Sequence, residues 1–181
     1  MNLFKKLFFI QLYKRKIISK NTIVIPFDKN NFYQIINKFD KRENLMQFGS
    51  EETFEEELES NFIQYSLIYS KTNLELGYVK WVTDDLFRNN NIELHTGCFI
   101  KNSLLKRFYM EGIITVLWNC YNFYKPENIY TIARIENTDA NNLAKKLNYD
   151  LLYINDDYNY YKLNYNFFSK PFTKKILFGS L

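Results

Sequence analysis

The chain has 181 residues, 24 of them basic and 20 acidic, with 46% hydrophobic and 19% aromatic content, which suits one domain around one core. No apolar run approaches the roughly 18–20 residues of a membrane span, and no small-residue cleavage site follows the apolar start, so neither a span nor a signal peptide is expected. Cys98 and Cys120 have no metal-type spacing and there is one His, so no metal centre is expected, and the setting is reduced and intracellular, cytoplasmic or within a virion.

Met1–Lys20 holds six basic residues (Lys5, Lys6, Lys14, Arg15, Lys16 and Lys20) and no acid. Leu3, Phe4, Leu7, Phe8 and Ile10 give it the pattern of a basic amphipathic helix, suited to its own domain, a partner groove or a membrane surface. Thr22 to Phe27 reads as a β-branched strand ended by Pro26. Asp28 to Phe39 reads as a helix with Asp28 as N-cap. Ser50 caps an acidic helix running to Glu59, whose Glu55, Glu56 and Glu57 read as a solvated face. Phe62 to Ser70 and Leu76 to Thr83 alternate as two strands around the turn Lys71-Thr72-Asn73, and Asp84 to Asn91 is a polar loop.

Ile92 to Ile100 is the next strand, followed by a basic loop, Lys101 to Arg107. Phe108 to Tyr124 is a long helix with Ile113, Ile114, Val116, Leu117, Tyr121 and Tyr124 at three- and four-residue steps. Lys125-Pro126 stops it. Asn128 to Ile135 is a strand, and Asn137-Thr138-Asp139 offers caps for a short helix, Ala140 to Leu147. Asp150 to Asn155 and Tyr158 to Phe168 form a closing hairpin turned at Asp156-Asp157. Ser169–Leu181 is a second tail with Lys170, Lys174 and Lys175 and no acid, so the stretch between the tails is net acidic.

The order strand, helix, strand, helix from Ile92 to Tyr149 resembles the heart of the GNAT superfamily, the acetyl-CoA-dependent N-acetyltransferases. The second half carries the likeness best: Asn137, Ala140, Leu143, Ala144, Lys146, Leu147, Asn148 and Tyr149 stand where that family has Asn, a small residue, and hydrophobic-hydrophobic-x-Lys-Leu-Gly-Phe. The nearest likeness is to the subgroup that acetylates protein N-termini and aminosugars, and it extends from about Thr22 to Phe168. It implies an α/β GNAT-like fold, a mixed, mostly antiparallel sheet of about seven strands with helices on both faces, in a domain spanning residues 21–168 between the two tails.

The resemblance also implies three chemical tasks. The pyrophosphate of acetyl-CoA is normally held by a loop of pattern Arg/Gln-x-x-Gly-x-Gly/Ala, where glycines admit backbone N–H groups to the phosphates. The corresponding stretch, Ser103 to Gly112, lacks the paired glycines. Lys106 and Arg107 supply charge, Asn137 belongs to the cofactor side, and bulky Phe108 and Met110 predict weak or no CoA binding. Glu93 and His95 alternate on one strand and point to one face, where family members place a base. An imidazole with an ordinary pKa near ~6.5 suits amine deprotonation. The backbone N–H near Phe99 stands where the family holds the oxyanion, and Phe99 and Ile100 both belong to the cofactor side. The usual tyrosine that protonates the leaving thiolate falls at about Ala144.

Two functions follow. One is an N-acetyltransferase acting on an amine of a protein or small molecule, with a divergent CoA loop. The other is a catalytically silent GNAT-fold subunit with a degenerate site, held in a viral particle or ribonucleoprotein assembly. The basic tails, with Phe4, Phe8, Ile10, Phe172, Ile176, Leu177 and Phe178 as apolar anchors, suit a protein partner, and their charge also suits nucleic acid.

Overall fold

The structure is a computed structural model that describes residues 15–27, 56–57, 59–60, 62–83, 89–100 and 102–179. The expected amphipathic pattern of residues 1–14, the helix from Asp28 to Phe39 and most of the acidic helix before Glu59 lie outside the described residues.

Among the described residues eight strands form one sheet: β1 (Ile17–Ile18), β2 (Thr22–Pro26), β3 (Ile63–Ser70), β4 (Glu75–Val82), β5 (Asn91–Cys98), β6 (Asn128–Arg134), β7 (Tyr149–Asn155) and β8 (Tyr158–Leu163). Their order is β1-β2-β3-β4-β5-β6-β8-β7. Neighbours run antiparallel except β5 and β6, which are parallel. β1 adds the eighth strand. It pairs Ile17 with Val24 and Ile18 with Ile23, so the sheet begins inside the segment expected as an N-terminal tail.

Three α-helices are described end to end: α1 (Ser103–Tyr124), α2 (Thr138–Lys146) and α3 (Pro171–Phe178). Both crossovers, β5-α1-β6 and β6-α2-β7, run the same way along the sheet. The right-handed rule therefore sets α1 and α2 on one face. Tyr109, Ile113, Ile114, Val116, Leu117 and Cys120 of α1 share one core there with Ala144 of α2 and with Leu76, Ile92, Leu94 and Ile129 of the sheet. Each such burial contributes about 1.5–3 kcal/mol for a large aliphatic side chain. Gly112 lies inside α1 as a packing residue, since a Cβ there would stand 2.5 Å from Cγ2 of Ile68.

Glu111, buried on the same helix, accepts from Ser19 Oγ (2.5 Å), Asn21 N (2.7 Å) and Asn21 Nδ2 (2.8 Å). A carboxylate this buried needs several donors, and these three tie the β1–β2 turn onto α1.

Local chemistry sets several ends. Lys125 closes α1 in the left-handed conformation (φ 46), its N–H donating to the Tyr121 carbonyl, just before Pro126. Asn148, at the glycine position of the resemblance, has φ 63, which glycine adopts freely and asparagine tolerates. Two extents differ from expectation. β8 ends at Leu163 and the chain turns into a 3-10 helix, Tyr165–Ser169, because the Asn164 side chain accepts from Asn166 N. The segment Ser169–Leu181 is not a free tail through its described part. α3 docks on α1, with Phe178 5.4 Å edge-on to Trp118 and Thr173 buried. Among the described residues no helix is long and apolar enough to cross a membrane.

The opposite face of the sheet carries a second, aromatic cluster of Phe27, Tyr65, Leu67 and Tyr78, with Ile63, Tyr69 and Phe99 against it. Glu57 reaches this face, so helical residues 56, 57 and 59 flank the sheet on the side away from α1.

Candidate active site

β5 and β6 pair only at Asn91–Asn128, Ile92–Ile129 and Glu93–Tyr130. Both strands then continue, to Cys98 and Arg134, so a slot opens between them beyond Glu93. The Phe99 N–H donates to the Leu76 carbonyl at 2.9 Å. Strand alternation therefore turns Phe99, Gly97 and His95 main-chain groups toward β4, and those of Thr96 and Cys98 toward the slot. This corrects the expectation for Phe99: its N–H is committed to the ladder, and the backbone facing the opening is that of Thr96 and Cys98. Ile100 packs on the main core and its carbonyl accepts from Cys98 Sγ at 3.5 Å.

Glu93 and His95 are brought together as their alternation required. His95 Nε2–H donates to Glu93 Oε1, and both side chains are partly exposed on the face away from α1. Glu93 is the last residue of β5 paired with β6, so His95 stands where the slot begins. Burial pushes the Glu93 carboxyl up, but the hydrogen bond and charge of His95 and the charge of Lys80 outweigh it and hold it below the usual carboxylate range. In its neutral form, His95 donating Nε2–H to an ionised Glu93 carries its lone pair on Nδ1.

Three further groups belong to this site and escaped the sequence reading. Lys80 lies opposite His95 on β4, and Tyr65 lies opposite Lys80 on β3. Glu57 accepts hydrogen bonds from both Tyr65 Oη and Lys80 Nζ. It is therefore not part of a purely solvated face: the neighbouring cation and phenol hold it on the sheet. Burial, then Glu57, raise the Tyr65 phenol and keep it neutral. The available signal was Lys80 itself, a lone charge amid the apolar residues of a central strand, which requires a partner.

The supposed phosphate loop is not a loop. α1 begins at Ser103, with Asn102 as N-cap accepting from Leu104 N at 2.9 Å. Lys106 and Arg107 are exposed in its opening turns, and the first turn holds no acid. Phe108 and Met110 are half-buried against the main core, not projecting into a loop. Asn137 caps α2, accepting from Ala140 N at 3.0 Å.

Cys98 feels Lys106 of α1 and Asp139 of α2, although burial dominates and raises its thiol. α1 opens at Ser103, soon after β5 ends at Cys98, so its first turn stands near the end of that strand. A backbone-edged slot leading to a helix N-terminus with two free-standing cations suits an extended chain ending in an anion. These residues therefore fit the acetyl-CoA that the sequence pattern implies. Among the described residues no cluster of His, Cys, Asp or Glu could hold a metal.

Behind the slot, Asn141 of α2 is buried and fully used. Its Nδ2 donates to the carbonyls of Arg134 (2.8 Å), Ile135 (3.2 Å) and Asn137 (2.8 Å). Its Oδ1 accepts from Asn159 Nδ2 (2.7 Å) and Tyr161 Oη (2.6 Å).

No protein-family model matches the sequence, and no curated protein matches it. Solved structures do match the fold. A GNAT-family acetyltransferase from Bacillus anthracis superposes with a TM-score of 0.67 at 13% identity, covering 82% of this chain and 98% of that one. RimL, a ribosomal alpha-N-protein acetyltransferase, gives 0.64 at 13% over 82% and 93%. Spermidine N-acetyltransferase SpeG from Vibrio cholerae gives 0.62 at 14% over 81% and 95%. With the parallel β5–β6 pair, the slot beyond it and α1 beneath, the fold of this chain is that of the GNAT acetyltransferases.

Proposed function

We propose that the chain is an N-acetyltransferase that moves an acetyl group from acetyl-CoA to an amine. The observation that carries this reading is the hydrogen-bonded Glu93–His95 pair at the point where β5 parts from β6. Acetyl-CoA, when bound, supplies the acyl group as a reactive thioester. Main-chain groups of Thr96 and Cys98 line the slot, and Lys106 and Arg107 with the α1 N-terminus favour the anionic end. Ionised Glu93 holds the His95 ring in the tautomer with a bare Nδ1, which takes the proton from the attacking amine. Glu93 is thus a positioning residue and His95 the base. The solved structures named for acetylating a ribosomal-protein α-amine and spermidine make a protein N-terminus and a polyamine the first acceptors to try.

A second reading is favoured by one observation: α1 runs without a glycine from Ser103 to Glu111, and its Asn102 cap already uses the Leu104 N–H. A chain that held no CoA would be an assembly subunit inheriting the fold alone, docking through its basic termini to protein or nucleic acid. Thiol release from acetyl-CoA, followed with a panel of peptide and polyamine amines, separates the two. The expected result is turnover that His95→Gln lowers by about 10²–10⁴-fold with the fold kept. No turnover with any amine, or turnover unchanged in the variant, overturns the assignment.

A further inference from the structure

β7 is the outermost strand of the sheet and pairs with β8 on one side; among the described residues no strand covers its other side. Leu151, Leu152, Tyr153 and Ile154 follow one another along it, exposed by 51%, 48%, 54% and 60%. Sheet edges are usually guarded by lysine, proline or bulges, because their free N–H and C=O groups recruit other strands. β7 contains neither Lys nor Pro, and its one guard is an irregularity between Leu151 and Tyr153.

The two ends of this strand carry opposite charge. The exposed acids Asp156 and Asp157 form the hairpin tip beyond Asn155. The exposed lysines Lys145 and Lys146 close α2 just before Tyr149, and exposed Lys170 donates to Asn148 beside them. Asp150, the one charge within β7, is already engaged, opposite Lys162 and accepting from Asn164 Nδ2 at 3.1 Å.

We propose that the β7 edge is the contact between two copies of this chain, paired antiparallel about a two-fold axis near Leu152. A two-fold contact must be self-complementary. Turning the strand end for end meets that condition: the acidic tip of each copy faces the basic start of the other, and the apolar middles cover each other. Tyr153, stacked on Tyr160 at 4.4 Å, gives that middle a rigid aromatic wall. A single strand pairing buries less than the ~800 Å² per partner of a standard interface, so the association is concentration-dependent and sensitive to charge.

Sedimentation velocity of the full chain at rising concentration and low salt tests this. The wild type is expected to dimerise, and Ile154→Lys to remain monomeric with unchanged circular dichroism. Asp157→Lys alone and Lys146→Glu alone set like charges at both ends, weakening self-association by about tenfold each. An equal mixture of these two variants restores attraction at both ends and dimerises. Asp156 is left in place because its φ of 41 would strain lysine. A wild type that stays monomeric, a dimer untouched by Ile154→Lys, or a mixture no better than its separate parts would each overturn the proposal. The charge-swapped pair keeps the test decisive should Ile154→Lys fail to fold.

Discussion

The ring of Tyr78 fills the space that a side chain on Gly97 would need: a Cβ there would stand 2.0 Å from Cε1 of Tyr78. Tyr78 has little room to retreat, being buried 6.0 Å from Tyr65 and 5.8 Å from Phe99 between ring centroids. Gly97→Ala is therefore expected to destabilise the fold by about 1–3 kcal/mol, the usual range for overpacking, in chemical denaturation. Pairing the change with Tyr78→Leu should recover part of that loss; no recovery would place the strain elsewhere.

Glu93 links the site to pH. Its folded pKa is depressed, so its ionised form contributes stability that is present above the unfolded carboxylate value and is lost as pH falls through the folded one. Glu93→Gln should thus lower the melting temperature at neutral pH, and the gap to wild type should close as pH drops below about 4.5. A gap that stays constant down to pH 3 would remove the His95 and Lys80 interactions from the account.

Asn141 is the polar hub between α2, the β6–α2 turn and β8. Replacing it with alanine leaves the carbonyls it served and the Tyr161 hydroxyl without that partner, at about 1–3 kcal/mol for each group left buried and unsatisfied. Asn141→Ala is expected to cost at least 2 kcal/mol on that scale, read from the denaturant midpoint. Asn141→Asp should cost more, because it loses the donors and buries a charge.

Trp118 holds the end of the chain. It meets Phe168 at 5.2 Å and Phe178 at 5.4 Å, both edge-on. Trp118→Ala should cost about 3 kcal/mol, the lower part of the range for a large aromatic, since Trp118 is half-buried. Hydrogen exchange should then speed up selectively in Pro171–Phe178. Uniform acceleration across the sheet would contradict a local docking role.

What could be read from the sequence follows from how local its cause is. The Asn137 cap, the stop at Lys125-Pro126 and the Asn148 position each depend on a few adjacent residues, and each stands as expected. The Glu93–His95 pair follows from strand alternation alone. α1 starts five residues before the expected Phe108, because exposed Leu104, Lys106 and Arg107 break the apolar period before the helix reaches the core. Glu57 looked like solvated charge, since its partners Tyr65 and Lys80 lie on strands reached only after folding. Asn141 carries no signal in the sequence for the same reason, its partners Asn159 and Tyr161 lying on a later strand. The anchors Ile176, Leu177 and Phe178 suit a protein partner by sequence, whereas the described α3 sets them against Trp118 and the home core. Their surface was unreadable from spacing, because it is built from distant segments.

The central claim is that the slot beyond Glu93 and the opening of α1 hold acetyl-CoA, and a calorimetric titration of acetyl-CoA into the purified chain tests it most directly. The account predicts saturable one-site binding that weakens by about tenfold or more in Lys106→Ala/Arg107→Ala, where two cations beside a pyrophosphate are lost. No measurable binding, or binding indifferent to that double change, would contradict it.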